Sequence, residues 1–85
     1  MVTHDIKAYE GYWLRLESGD KKCELRVNDR DYQAGDKLMI SAVDDAGNYL
    51  DRHEPIFFRI THVLSDFVGL QEGFCILSVE PTEHV

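Results

Sequence analysis

Residues 19–26, with the sequence GDKKCELR, hold the densest combination of side chains in this chain that could do chemistry. Apolar and polar residues alternate from Lys22 onward, which predicts a strand with Glu24 and Arg26 on one face, about 6.5–7 Å apart. A guanidinium is a planar fork of donors and a carboxylate accepts from amino groups, so the pair could recognise a polar planar ligand. Lys21 and Glu24 are also candidates for an acid–base pair if they are buried. The alternative is an ordinary solvated strand face.

The charge of the chain narrows the ligands that such a site could take. The 85 residues include 9 basic and 16 acidic residues, for a net charge of −7. A protein that binds duplex DNA without sequence preference needs a broad basic surface to displace counterions, so the charge argues against that class. Seven of the nine basic residues lie in residues 1–43, however, and four of them lie within residues 21–30. We therefore expect a local positive site in an otherwise acidic protein.

Length and composition predict a single domain over residues 1–85, with one modest core. Two cysteines, Cys23 and Cys75, are too few for a disulfide-stapled secreted domain, so we expect free thiols in the core. No C-x-x-C is present and the four histidines are scattered, so we expect no metal site and no cofactor. We also expect no membrane span and no signal peptide, and hence a cytosolic protein. The histidines are His4, His53, His62 and His84.

One helix and several strands must position the candidate site. Apolar residues at helical spacing predict a helix over residues 7–18 that ends at Gly19. Alternation and turn residues predict strands at 22–27, 37–43, 55–63 and 74–79, with polar loops between them. The residues expected to face the core are Tyr9, Tyr12, Trp13 and Leu16 of the helix, Cys23, Leu25 and Val27 of the first strand, and Ile56, Phe58, Ile60 and His62 of the third.

This order of elements indicates an α+β, mostly β fold. The strands follow one another as a meander, and no crossover helices remain to connect parallel strands. A small antiparallel sheet buries its apolar face most economically by curling into a barrel. We expect the N-terminal helix to pack against one end or face of that barrel.

The segment Gly19-x-Lys21-x-x-Glu24-x-Arg26 resembles the G-x-K-x-x-E-x-R signature of the ASCH superfamily of PUA-like domains. The continuation through Tyr32 and Gly35-Asp36 resembles a small family of unknown function within that superfamily, found in bacteria and their phages. Residues 3–7 and 69–74 extend this resemblance, which covers residues 3–80.

The resemblance implies a PUA-like β-barrel with a cleft beside the helix and an association with RNA. Lys21, Glu24 and Arg26 match the polar positions of the signature and are expected to line the cleft. The pattern of the narrower family adds His4, Lys7, Asn28 and Arg30 as candidate ligand-binding residues. Tyr32 lies in a turn beside Arg30 and could stack on a base.

Three functions follow from these residues. The first is an RNA- or nucleotide-binding module, in which Lys21 and Arg26 take a phosphate or base edge and Glu24 accepts from an amine or holds Arg26. The second is a small hydrolase, either a nucleoside amidohydrolase or a ribonuclease. One ASCH branch hydrolyses acylated nucleosides with a lysine, a threonine and a glutamate, but here Glu24 stands at the threonine position. The third is a protein-interaction module of phage origin.

Overall fold

One helix and five strands make up the computed structural model, which describes residues 1–83; His84 lies outside this range. The elements are β1 (Thr3–Tyr9), α1 (Glu10–Ser18), β2 (Cys23–Val27), β3 (Lys37–Val43), β4 (Ile56–Ser65) and β5 (Phe74–Pro81). The strands form a single curled sheet in the order β1-β3-β4-β5-β2. The expectation of a small α+β, mostly β fold with one helix is confirmed. Because the sheet is open, β1 and β2 form its two edges.

Residues 3–9 form a strand, which corrects the prediction that the helix begins at residue 7. His4, Ile6 and Ala8 are buried and alternate with exposed residues, as on a strand with one face in the core. β1 pairs with β3 in parallel, so the expectation of a purely antiparallel meander is wrong at this edge. The chain between these two strands contains α1 and β2, which is long enough for the crossover that parallel pairing requires. The other three strand pairs are antiparallel.

Helix α1 packs on the sheet through only part of its predicted face. Trp13 and Leu16 are buried as expected, and the Trp13 indole N–H donates to the Ile40 carbonyl of β3 over 2.9 Å. Tyr9 belongs to β1, and both Tyr9 and Tyr12 are about half exposed, at 52% and 53%, so their assignment to the core is wrong. The late start of the helix leaves these two rings at its edge.

The start of α1 is fixed by the connection between β3 and β4. Arg52 donates to both oxygens of the Glu10 carboxylate, over 2.8 and 2.7 Å from Nη2, and His53 Nε2 lies 2.7 Å from Glu10 Oε2. The His53 ring also stacks on Trp13, with 4.5 Å between ring centroids. Hydrogen bonds from His53 and Arg52 hold the pKa of Glu10 below its ordinary value.

The alternation of β2 is opposite to the one expected from its apolar residues. Glu24 is buried, 5% exposed, opposite the core residue Leu77 of β5. Leu25 and Val27 are exposed, at 60% and 51%, and Cys23 is exposed beside them. The physical reason is that the inner face of this edge strand carries the charged residues Glu24 and Arg26. The alternate residues, which are apolar, therefore face outward.

Two further assignments to the core have different outcomes. Cys75 is fully buried and free, as expected, and burial raises the pKa of its thiol. His62 is exposed, which corrects its assignment to the face of Ile60. The pairing of β4 with β5 shifts register between Ile60 and His62, and such a bulge turns the following side chains to the other face.

Candidate functional site

The open side of the sheet, between the edge strands β1 and β2, forms a cleft of about 810 Å³. We call this the seam cleft. α1 and the turns after β2 and β3 complete its walls. The residues lining it are Lys7, Ala8, Tyr9, Tyr12, Glu24, Leu25, Arg26, Val27, Asp29, Val43, Gly47 and Phe74.

Glu24 and Arg26 line this cleft, and Lys21 joins them through its contact with Glu24. Lys21 Nζ contacts Glu24 Oε1 directly, and Arg26 Nη1 lies 3.3 Å from Glu24 Oε2. The Glu24 side chain is 7% exposed, whereas about a quarter of each cationic side chain reaches solvent. A buried carboxylate thus holds two cations whose outer parts remain accessible.

Arg26 also bridges the two edges of the sheet. Its Nη1 donates to the Lys7 carbonyl of β1 over 3.1 Å. Within residues 1–83, no backbone pairing joins β1 to β2, so this side-chain contact spans the seam where a closed barrel would have a strand ladder. The cleft is therefore the unclosed part of the curled sheet.

The end of α1 explains why Lys21 lies beside Glu24. Gly19 ends the helix at φ 89°, a left-handed conformation that favours glycine, and the Lys21 N–H donates to the Arg15 carbonyl over 3.0 Å. The chain thus turns within a few residues and enters β2 at Cys23. Lys21 Nζ then lies 5.7 Å from the centroid of the Tyr12 ring, within the range of a cation–π contact.

Tyr32 connects the turn after β2 to β1. Its N–H donates to Asn28 Oδ1 over 3.3 Å, just beyond the end of β2, and its ring meets the His4 ring of β1 edge-on at 4.8 Å. The residue is 2% exposed, so its ring is not available to stack on a base, which corrects that expectation. Burial raises the pKa of Tyr32, and the nearby charges of Arg26 and Arg30 partly oppose this rise.

Behind Tyr32, His4 forms a buried pair with Asp36. His4 Nε2 lies 2.9 Å from Asp36 Oδ2, and the same carboxylate accepts from the Val2 and Gln33 N–H groups, each at 3.2 Å. Burial raises the pKa of Asp36, but these hydrogen bonds outweigh burial and leave it below its ordinary value. The pair joins β1 to the start of β3 and has a structural role.

The candidate residues thus fall into three groups. Lys7, Glu24 and Arg26 line the seam cleft, and Lys21 contacts Glu24 beside it; His4 and Tyr32 are buried; Asn28 and Arg30 are exposed in the turn that follows β2. Sequence reasoning missed Tyr9 and Tyr12 as rim residues. For Tyr9 the signal was the period-2 pattern of His4, Ile6 and Ala8, which makes it the next outward position of a strand. Among residues 1–83, no three His, Cys, Asp or Glu side chains are grouped to hold a metal ion.

Comparison with known proteins places the chain in a family. No curated protein matches it, and within the described residues no helix is both long and apolar enough to span a membrane. Residues 3–79 match the family described as Domain of unknown function (DUF3850). This match covers most of the chain, from the first residue of β1 nearly to the end of β5. The chain therefore belongs to this family.

Proposed function

We propose that this domain is a cytosolic module that binds RNA or a nucleotide-like ligand in the seam cleft. The observation that carries the proposal is the Lys21–Glu24–Arg26 cluster, buried at its carboxylate and accessible at its cations. Charged groups fixed in a partly desolvated cleft are a common means of recognising a small polar ligand.

The cluster favours a ligand that offers hydrogen-bond acceptors. Both Glu24 oxygens are already engaged, one by Lys21 and one by Arg26, so the carboxylate acts as a holder of the two cations. A ligand entering the cleft meets their remaining N–H groups. Lys7 lines the opposite edge, with its ammonium 5.4 Å from the centroid of the Tyr49 ring. Phosphates and nucleobase edges are suitable partners for such donors.

Two exposed rings supply the second element of nucleotide recognition. Tyr9 and Tyr12 line the cleft at the junction of β1 and α1, and about half of each residue is exposed. A base can stack on such a ring, and each stacked base contributes about 1–3 kcal/mol. Lys21 lies over the Tyr12 ring, which holds that ring beside the cationic cluster.

The acidic remainder of the protein supports selectivity for a small ligand. A net charge of −7 repels long polyanions, whereas the cations of the seam cleft act at short range, within a Debye length of about 8–10 Å. We therefore expect single nucleotides or short single strands to bind and long duplexes to be excluded. The resemblance of residues 19–26 to the ASCH signature points to the same class of ligand.

Titration of short single-stranded RNA and nucleoside monophosphates at fixed salt tests the proposal. Arg26→Ala should lower the affinity at least tenfold while the domain remains folded, because it removes the cation that spans the cleft. Lys22→Ala is the matched control, since it removes the same charge from an exposed neighbouring residue outside the cleft. Equal loss in the two variants would indicate a non-specific charge effect, and no binding by the natural protein would refute the proposal.

The hydrolase remains a second candidate because Lys21 and Glu24 are in direct contact. A screen of acylated nucleosides and short RNAs for turnover tests it. Turnover that is lost in both Lys21→Ala and Glu24→Ala would support catalysis, and turnover that survives both would point to a contaminant.

Protein interaction is a third candidate, favoured by the outward-facing Leu25 and Val27 of an edge strand. A pull-down that recovers protein without nucleic acid, and that Leu25→Thr abolishes, would favour it.

A further inference from the structure

A second cavity, of about 410 Å³, adjoins the seam cleft at the start of α1. We call it the helix cavity, and its lining consists of Tyr9, Gly11, Tyr12, Arg15 and Asp45. Tyr9 and Tyr12 line the seam cleft as well. These two residues therefore form a boundary that the cavities share, and a ligand that extends past them passes from one cavity into the other. Both volumes fall in the range of about 300–1,000 Å³ that is usual for small-molecule sites.

The shared boundary is aromatic and accessible. About half of each tyrosine is exposed, so both rings offer surface to a planar ligand. Nucleobases stack on such rings with little regard to sequence. The proposed function places one nucleotide in the seam cleft. A second base, in the helix cavity, can use the same two residues from the other side of the boundary.

The charges of the helix cavity favour a nucleobase there over a second phosphate. Arg15 and Asp45 are both exposed, and within residues 1–83 no ion pair joins them. One cation and one anion leave the lining without net charge, so a phosphate attracted by Arg15 is repelled by Asp45. The guanidinium of Arg15 only donates, and the acceptor atoms at the edge of a neutral base suit it.

Gly11 supports the presence of a ligand in the helix cavity. In a helix, glycine is less favourable than alanine. A Cβ at position 11 would meet no atom within 4 Å, and the residue does not have a positive φ, so neither packing nor backbone conformation requires glycine here. Arg15 lies one turn further along the same face of α1. The missing side chain leaves open space between Arg15 and the tyrosines, where a base can lie.

We infer that the domain binds two successive nucleotides of a single strand, with one base in the seam cleft and the next in the helix cavity. This inference rests on the proposed function and specifies that its preferred ligand is at least a dinucleotide. The sugar-phosphate backbone of the strand crosses the boundary formed by Tyr9 and Tyr12. Arg15 donates to the edge of the second base.

Isothermal titration with three uridine ligands tests the inference. They are UMP, the dinucleotide pUpU, and pUp, which has a phosphate on both sides of its ribose but no second nucleoside. The natural protein should bind pUpU about tenfold more tightly than UMP, because a second base is stacked. The affinity for pUp should remain within about threefold of that for UMP, because the second cavity takes a base and not a phosphate.

Two substitutions in the helix cavity should remove most of the advantage of pUpU and leave the affinity for UMP unchanged. Arg15→Ala removes the donor to the second base, and Gly11→Ala places a methyl group in the space for it. The urea midpoint of Gly11→Ala should equal or exceed that of the natural protein, because alanine is the better helix former. Lys22→Ala is the matched control for Arg15→Ala, since it removes an exposed charge outside both cavities, and it should retain the advantage.

Several results would overturn the inference and leave the proposed function standing. These are equal affinities for pUpU and UMP, equal affinities for pUpU and pUp, an advantage of pUpU that both helix-cavity variants retain, and an equal loss of that advantage in Lys22→Ala and Arg15→Ala. Failure of the natural protein to bind any of the three ligands refutes the proposed function itself.

Discussion

Glu24 and Asp36 are the two most buried acidic residues of the domain, and they are held in opposite ways. Asp36 accepts from two backbone N–H groups and from the buried ring of His4. Within the part of the chain that the structure describes, Glu24 is bound only by the side chains of Lys21 and Arg26, three and two residues away along the sequence. The partners of Asp36 are parts of the fold, whereas those of Glu24 are half-buried side chains that can rearrange around a ligand.

Asp36 and Glu24 show how the contacts of a structural charge differ from those of a functional one. Two of the partners of Asp36, Val2 and His4, lie more than thirty residues away, so their contacts join distant segments and stabilise the fold. The contacts between Glu24 and its two cations close no long loop of chain, so they contribute little to the topology. A buried charge held by partly exposed side chains beside a cleft is therefore better explained by binding than by stability.

Asp36→Ala should give the largest loss of stability. If it does not, the contrast drawn between Asp36 and Glu24 is wrong. It leaves the buried ring of His4 and two partly buried backbone N–H groups without their acceptor, which costs about 2–4 kcal/mol of unfolding free energy. Urea denaturation measures this loss, with exposed Asp45→Ala as the control. The ligand affinity of the folded fraction should not change. A loss in affinity without a loss in stability would reverse the roles assigned to the two carboxylates.

Glu24→Gln should show the converse behaviour. Gln keeps the shape of the side chain but attracts Lys21 and Arg26 less strongly, so both cations lose their fixed positions in the cleft. We expect about a tenfold loss of ligand affinity, equivalent to about 1.4 kcal/mol, and a smaller change in unfolding free energy. Isothermal titration and urea denaturation of the same preparation measure the two quantities. A variant that is unstable yet binds normally would contradict the functional assignment of Glu24.

The dependence of the unfolding free energy on pH below pH 4 should give the smallest effect. The pKa of Asp36 is lower in the folded protein than its ordinary value of 3.8, so its contribution to stability is present above that pH. The contribution is lost as the pH falls through the folded pKa. The difference in unfolding free energy between the natural protein and Asp36→Ala should therefore shrink as the pH falls below 4. A difference that persists unchanged to pH 2 would argue against a depressed pKa.

Local patterns predicted the central strands well where a single period holds. Residues 37–43 and 56–60 have apolar residues on their core-facing positions, and both lie in strands. The period of β4 breaks at the register shift before His62, and there the prediction was wrong. The helix also ends where Gly19 predicted. The beginning of the helix could not be located, because Ala8 and Tyr9 fit the helical spacing of Trp13 and Leu16 as well as the alternation of a strand.

The orientation of β2 could not be predicted, because it depends on contacts with distant residues. Its apolar residues would normally face a core, but the inner face of this edge strand meets Lys7 of β1, whose position depends on parallel pairing with β3. Glu24 and Arg26 were correctly predicted to share a face. The predicted orientation of that face was wrong, because it lies on the inner side of the sheet. For Tyr32, the sequence indicated a turn residue near the site and gave no sign that its ring is buried.

In the sheet, β2 pairs with β5 and with no other strand, and this has a consequence for the synthesis of the protein. β2 is the second strand to leave the ribosome, and its only partner in the sheet is the last strand, about fifty residues later. Such distant pairings form late, after closure of a long loop. Glu24 and Arg26, which line the cleft, are thus translated early and reach their final positions last. Ligand binding by a nascent or truncated chain would report that β5 has docked, and with it that the whole sheet is complete.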